Sequence, residues 1–188
     1  MSNIETRKAG AVKVTKREGE LVPGEPLVLA GVAANWNRYD MGNTYERLEP
    51  TCFDESIAAD GEKIVLLWNH DTAKPMGRVS AGNLDVFADA DGLGFECSLP
   101  ETDTSEEAHA LVASGIVTQC SFGFIALAEK YEPPAKGETK GTRVIQKARL
   151  LEISVVTFPA NEEGTYVEAR SEQPKPKKRK IYLLPPQF

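Results

Sequence analysis

The sequence has few of the residues that build metal centres and disulfide scaffolds. It contains three cysteines, Cys52, Cys97 and Cys120, without a Cys-x-x-Cys spacing, and two histidines, His70 and His109. An odd number of scattered cysteines predicts reduced thiols and excludes a disulfide framework or a zinc ribbon. Two histidines are too few for a multi-histidine metal centre. We therefore expect no metal and no cofactor.

Long apolar runs are also absent. No run approaches the roughly 18 residues that a membrane-spanning helix needs, so we expect no membrane association. The opening segment MSNIETRKAGAVKV lacks the apolar core of a secretion signal, which favours a cytosolic protein. The 188 residues, 41% hydrophobic and 27% charged, fit one globular domain with tails.

Positive charge is scarce outside the end of the chain. The net charge is −6, and residues 171–188 carry five basic residues and one acid, so the other 170 residues carry −10. An acidic body repels phosphate, which makes nucleic acid an unlikely partner. A nucleic-acid binder acting through the basic tail remains an alternative, and it predicts steep salt dependence. The simpler interpretation is that this tail is a solvated extension, interrupted by prolines, that binds no partner.

Apolar patterning predicts a strand-rich α+β fold. A capping box at Thr104–Glu107 predicts a helix ending near Gly115, and a second, short helix is expected at 53–59. Residues 35–50 are expected to form a long loop. Mainly antiparallel neighbours favour a closed or nearly closed barrel with one or two flanking helices. The predicted strands are 11–16, 27–34, 63–68, 84–88, 94–99, 116–127 and 143–158.

His70 is the first of three polar residues that interrupt apolar strands. It follows Leu66 and Trp68 at even spacing, so alternation predicts a ring that starts from the core-facing side. A histidine in this position acts either as a hydrogen-bonded structural group or as a catalytic base.

Ser121 is the second, in the middle of a predicted strand. It shares a face with Gly123, which would leave room for a substrate backbone, although an ordinary strand serine beside a bulge fits the same pattern. Cys120 is a rival nucleophile, but alternation directs it to the opposite face.

Glu152 is the third and the most informative. Alternation places it on one face with Leu150 and Ser154, where an unpaired carboxylate costs several kcal/mol. An ion pair with Arg149 or Lys147 would satisfy it. An imidazole N–H that needs an orienting acceptor would satisfy it equally well.

Together these residues are the inventory of a serine hydrolase, with Ser121 as nucleophile, His70 as base and Glu152 as orienting acid. Spacing alone does not establish a triad, so the residues themselves indicate only a possible hydrolase. A small esterase is a further alternative, although the Gly-x-Ser-x-Gly elbow is missing.

Several short motifs occur in a characteristic order. They are LVLAGVAANWN at 27–37, Pro-x-x-Phe at 50–53, LLWNHD at 66–71, Pro-Met-Gly at 75–77, Ser-Phe-Gly-Phe at 121–124 and LLEISVVTFPAN at 150–161. In this order and spacing the chain resembles the prohead proteases of tailed bacteriophages, serine peptidases with a fold similar to the herpesvirus assemblin protease.

The resemblance implies a role for each residue and for the protein. The serine, histidine and acid of the family fall on Ser121, His70 and Glu152. The implied substrate is the scaffold segment of the major capsid protein precursor, cut inside the procapsid in the host bacterial cytoplasm, with self-cleavage and activity as a homo-oligomer, such as a dimer.

The resemblance also suggests how the chain is divided. We expect an N-terminal extension with an edge strand at 1–24, a protease domain at 25–165 and a basic, proline-rich tail at 166–188. The main alternative from another class is a non-catalytic capsid assembly factor with the same fold, although an intact set of Ser121, His70 and Glu152 argues against it.

Overall fold

The fold is described by a computed structural model over residues 5–8, 27–158 and 166–170. The strand expected at 11–16 and the basic segment from 171 onward lie outside these residues. Within them, no helix has the length and apolar character needed to cross a membrane.

The described elements alternate short strands with two helices and include a pair of long strands before the last short one. In chain order they are β1 (Glu5–Lys8), β2 (Val28–Ala34), β3 (Arg38–Asp40), β4 (Tyr45–Leu48), α1 (Asp54–Asp60), β5 (Val65–Trp68), β6 (Asp71–Arg78), β7 (Leu84–Ala88), β8 (Leu93–Ser98), α2 (Asp103–Ala113), β9 (Gln119–Glu132), β10 (Thr142–Val156) and β11 (Tyr166–Arg170). This confirms the expected strand-rich α+β class.

The described strands form two sheets. The larger has seven strands in the order β1-β9-β10-β4-β3, with β5 also on β10 and β6 on β5. The smaller has the order β11-β2-β8-β7. Strands β1 and β11 lie outside the expected protease domain at 25–165, yet each pairs with a strand inside it, namely β9 and β2.

The prediction of a closed barrel is wrong, because the sheets of the described residues remain open and include parallel pairs. Strand β10 pairs along one edge with two parallel strands, β4 near its start and β5 near its end. The chain passes from β4 to β5 through α1. The two strands therefore occupy successive parts of one edge and do not close a ring.

The long loop predicted at 35–50 contains β3 and β4, which pair antiparallel. The strands are too short for an apolar pattern to reveal them, and tertiary contacts stabilise them. Tyr39 is buried and its hydroxyl bonds to Asn35, while the buried Glu46 carboxylate pairs with Arg143 of β10 at 3.0 Å. Burial of such polar groups is tolerated because each is hydrogen-bonded.

Helix α2 begins two residues earlier than the capping box predicted. Thr102, in an extended conformation, is the N-cap, and its hydroxyl accepts a hydrogen bond from the backbone N–H of Ser105. The hydroxyl three residues before Ser105 therefore satisfies the first free N–H, and Thr104 lies inside the helix. The helix ends at Ala113, and Gly115 adopts a positive φ of 74° just beyond it, near the predicted stop.

The core contains an aromatic cluster beneath α1. Phe53, at the N-cap of α1, makes edge-to-face contacts with Phe122 and Phe124 of β9, with ring centroids 5.9 and 6.1 Å apart. All three rings are fully buried. Such pairs add about 0.5–1.5 kcal/mol each beyond burial, so they anchor one face of β9 firmly in the core.

Candidate active site

The ladder between β9 and β10 separates two faces with different chemistry. Residues directly opposite one another in an antiparallel pair project to the same side. The core side carries apolar side chains and one thiol: Cys120, Phe122 and Phe124 of β9 face Val155, Ile153 and Leu150 of β10. On the other side, Ser121 lies opposite Ser154, and Gly123 lies opposite Glu152. The polar residues are therefore gathered on the face opposite to this apolar one.

A β-bulge places Glu152 on the polar face. The register shifts between Leu150 and Glu152, so two steps along β10 match one step along β9. Simple alternation put Glu152 on the same side as Leu150, and this part of the prediction is wrong. The backbone N–H of Leu150 donates instead to the buried hydroxyl of Ser56 on α1, at 2.9 Å.

A left-handed turn redirects His70. Strand β5 ends at Trp68, and Asn69 and His70 both have positive φ angles, 51° and 60°. The prediction that His70 starts from the core-facing side is therefore wrong, because the alternation stops before it. Asn69 tolerates this conformation better than most residues, and its N–H donates to the carbonyl of Val155 on β10.

The turn brings the imidazole of His70 to the carboxylate of Glu152. The distance from Nδ1 to Oε1 is 2.9 Å, and the side chains are 34% and 13% exposed. Lys147, one of the expected ion-pair partners of Glu152, pairs with Glu55 instead. The imidazole is thus the basic side chain found against this carboxylate, and one edge of the pair is accessible to solvent.

Ser154 completes the contacts around this pair. Its hydroxyl donates to Oε2 of Glu152 at 2.5 Å and accepts a hydrogen bond from the backbone N–H of His70 at 3.2 Å. It is fully buried. Sequence reasoning assigned Ser154 no role, although its position two residues from Glu152 on the same strand was the available signal.

Gly123 provides room for Glu152. A Cβ at this position would lie 2.5 Å from Oε1 and 3.1 Å from Cγ of Glu152. The sequence suggested that this gap admits a substrate backbone, but the carboxylate of Glu152 occupies the space. Residue 123 is therefore glycine because the carboxylate of Glu152 packs directly against β9 at this position.

Replacing Gly123 by alanine is expected to lower the free energy of unfolding by about 1–3 kcal/mol, because an added methyl group in a filled space forces its neighbours to move. We expect that cost to vanish when Glu152 is also alanine, since the clashing atoms are then gone. Urea denaturation of the single and double variants measures both values.

Gly61→Ala is the matched control for this substitution. A Cβ at Gly61 meets nothing within 4 Å, so little change in stability is expected. An equal cost of Gly123→Ala in both backgrounds would contradict the explanation through Glu152.

Ser121 lies on the same face as the pair, one strand away. It is 1% exposed, and its position is two residues along β9 from Gly123. The rival, Cys120, is on the core face and fully buried, as alternation predicted. Burial raises the pKa of the Cys120 thiol, which disfavours the thiolate that a nucleophilic cysteine requires.

The cysteines provide a direct chemical test. Burial raises the pKa of the Cys52 and Cys97 thiols to about 12, so at about pH 8 they hold roughly a thousandfold less thiolate than ordinary cysteines. Iodoacetamide is expected to modify none of the three cysteines in the folded chain and all three in guanidinium, as counted by intact mass. Modification of Cys120 alone, with loss of function, would restore it as the nucleophile.

His109 is the second histidine of the chain, and its sequence context indicates no role in the chemistry. The structure buries it on α2, where it is 5% exposed and has a partner. It lies on a different element from the polar face of β9 and β10.

A serine hydroxyl, an imidazole and a carboxylate on one region of a strand-rich α+β domain are the group types that serine proteases use. Comparison with known families gives the same class: the model of the caudovirus prohead serine protease family matches residues 12–179. The chain belongs to this family, which confirms the resemblance seen in the sequence. The match includes most of the basic run at 175–180.

A curated relative supports the assignment. The chain is 27% identical over 107 residues to the protein named Prohead protease of Escherichia phage T5, a match that covers 57% of this chain and 46% of the relative. The matched region thus spans about half the length of that protein. No solved structure matches the chain.

Proposed function

We propose that this chain is a serine endopeptidase of procapsid maturation in which Ser121 is the nucleophile, His70 the general base and Glu152 the residue that orients His70. The observation that carries the proposal is the contact between Nδ1 of His70 and Oε1 of Glu152, at 2.9 Å, on the face of the sheet that also bears Ser121. Membership of the prohead serine protease family supports the same reaction class.

The contact supports a division of labour between the two ring nitrogens of His70. A carboxylate only accepts hydrogen bonds, so Nδ1 carries the proton that faces Glu152 and Nε2 keeps its lone pair. Nε2 then removes the Ser121 proton as Oγ attacks the scissile carbonyl, and later returns a proton to the leaving amine. The negative charge of Glu152 stabilises the imidazolium formed between these two steps.

The proposed substrate is the major capsid protein precursor, cut at its scaffold segment inside the procapsid in the host cytoplasm. We also propose that the chain cleaves itself, with its basic segment at 175–180 as a candidate site. For the domain boundaries we propose residues 25–165 as the protease unit, supplemented by β1 and β11, because both strands pair with strands inside that range.

Self-association is part of the proposal. Two large apolar side chains, Ile116 and Phe158, are 68% and 84% exposed. They lie just before the start of β9 and just after the end of β10, which is the same end of that ladder, because Gln119 pairs with Val156. A second copy of the chain would remove this apolar surface from water, so activity is expected to rise more steeply than in proportion to protein concentration.

The experiment is co-expression of the full chain with its cognate capsid precursor, so that procapsids assemble, followed by intact-mass analysis of both proteins. Discrete loss of the scaffold segment is expected, and a precursor without that segment should keep its mass. The purified chain alone, incubated from low to high concentration, tests self-cleavage. If the precursor remains whole in assembled procapsids, the non-catalytic assembly factor becomes the better explanation.

A further inference from the structure

The buried hydroxyl of Ser154 contacts both the carboxylate of Glu152 and the turn that carries the imidazole of His70. Ser154 donates to Oε2 of Glu152 and accepts from the backbone N–H of His70. The other carboxylate oxygen of Glu152, Oε1, contacts the imidazole. The two oxygens of Glu152 therefore have different partners, and these two partners, Ser154 and His70, are joined to each other by the hydrogen bond from the His70 N–H.

We propose that Ser154 is a positioning residue, which orients the carboxylate of Glu152 and holds the His70 turn against β10 so that the imidazole is aligned for Ser121. The inference rests on the proposed function, because it assigns Ser154 a part in the same reaction. Ser154 acts through Glu152 and His70 and has no contact with substrate in this role.

The hydrogen-bond inventory of a hydroxyl explains why this position suits serine. A hydroxyl has one proton to donate and lone pairs to accept with. Here the proton goes to a carboxylate, which makes a charge-assisted bond, and a lone pair receives a backbone N–H. Alanine supplies neither bond, and it leaves a carboxylate oxygen and a buried N–H to find new partners.

The backbone makes this support necessary. Both residues of the turn, Asn69 and His70, have positive φ angles, which are uncommon for residues other than glycine. Such a conformation persists when surrounding contacts determine it. Three bonds do so here. Two are to β10, from Asn69 N–H to Val155 and from His70 N–H to Ser154, and the third is from the N–H of Thr157, just after β10, to the side chain of Asn69. Only the bond to Ser154 also involves the acid.

The same contacts argue against Ser154 as the nucleophile. Its proton is already donated to a carboxylate, so it is not available to the imidazole of His70. Ser121, directly opposite on β9, lies beside this arrangement and is not one of the two partners of the Ser154 hydroxyl.

The first test is the kinetics of precursor cleavage by the full chain. Ser154→Ala is expected to lower kcat by about 10- to 100-fold with little change in KM, because misalignment of a catalytic group affects the chemical step. Ser154→Cys, which keeps the shape and offers a weak donor, should fall between alanine and wild type. Ser105→Ala is the matched control: it removes another fully buried, hydrogen-bonded hydroxyl, on α2, and should leave kcat unchanged.

A double-mutant cycle separates positioning from a general loss of structure. If Ser154 acts through Glu152, then Ser154→Ala should lower kcat by a much smaller factor when Glu152 is already alanine, because only the bond to the His70 turn is then left to lose. An equal loss in both backgrounds, or no loss in either, would overturn the proposal.

A measurement that does not depend on activity distinguishes failure of the Ser154 proposal from failure of the proposed function. The chain has two histidines, so labelling with 15N-histidine gives at most two sets of ring signals, and His70→Ala assigns them. We expect Ser154→Ala and Ser154→Cys to shift the ring signals of His70, and Ser105→Ala to leave them in place. Unchanged His70 signals in both Ser154 variants would refute the positioning role. Absence of cleavage by wild type would refute the proposed function, while the ring signals would still decide the placement of Ser154.

Discussion

Replacing Ser121 by alanine is expected to lower the rate of precursor cleavage and self-cleavage by about a millionfold, because no other group in the site can form the acyl-enzyme. The substitution should leave the protein folded. Ser121 is 1% exposed in the middle of β9, and loss of its hydroxyl removes few packing atoms and costs about 1 kcal/mol of hydrogen bonding. Intact-mass time courses measure the rate, and thermal melting measures the fold.

Ser105→Ala is the control that removes a buried serine hydroxyl elsewhere, and it should cleave at the wild-type rate. Cleavage that persists in Ser121→Ala would assign the nucleophile to another residue. A variant that fails to fold would instead show that Ser121 has a structural role, which the melting curve distinguishes from loss of chemistry.

Replacing Glu152 by glutamine has the next largest expected effect, a decrease of about 10⁴-fold in kcat. The amide keeps the shape of the side chain but removes its charge, so nothing stabilises the imidazolium that forms as Ser121 loses its proton. The amide can also donate to Nδ1, which would put the ring proton on Nε2 and block it as a base. Steady-state kinetics on the capsid precursor measures the loss.

Glu55→Gln is the matched control. It neutralises a carboxylate on α1 that is 66% exposed and that pairs with Lys147, a residue of the strand β10 that also carries Glu152. Exposed ion pairs contribute about 0–1 kcal/mol, so this variant should keep its activity and nearly all its stability. Full activity in Glu152→Gln would show that a different group, or none, orients His70.

Alternation of apolar and polar residues in the sequence predicted the strands that bury one apolar face. The strands at 84–88 and 94–99 and the pair of long strands at the end of the described fold follow from alternation and turn chemistry. The same rule correctly placed Cys120 and Ser121 on opposite faces of the strand.

The errors share a physical cause. The parallel pairing of β4 and β5 with β10, the bulge at Leu150 and the left-handed turn at His70 depend on contacts between distant segments. Alternation assumes a regular strand, so it continues through a bulge or past a strand end and assigns the wrong face there. Spacing assigned both Glu152 and His70 to the wrong face, whereas the catalytic roles suggested by their residue types stay a prediction.

The sequence by itself determined the reaction class and the family, because the residue types and the order of the short motifs are local properties of the chain. It also determined which face of β9 bears Ser121. Only the tertiary structure decided which partner satisfies Glu152, why residue 123 is glycine and what Ser154 contacts. Those answers depend on the register between β9, β10 and the turn after β5, and register is set by packing between segments that lie far apart in the chain.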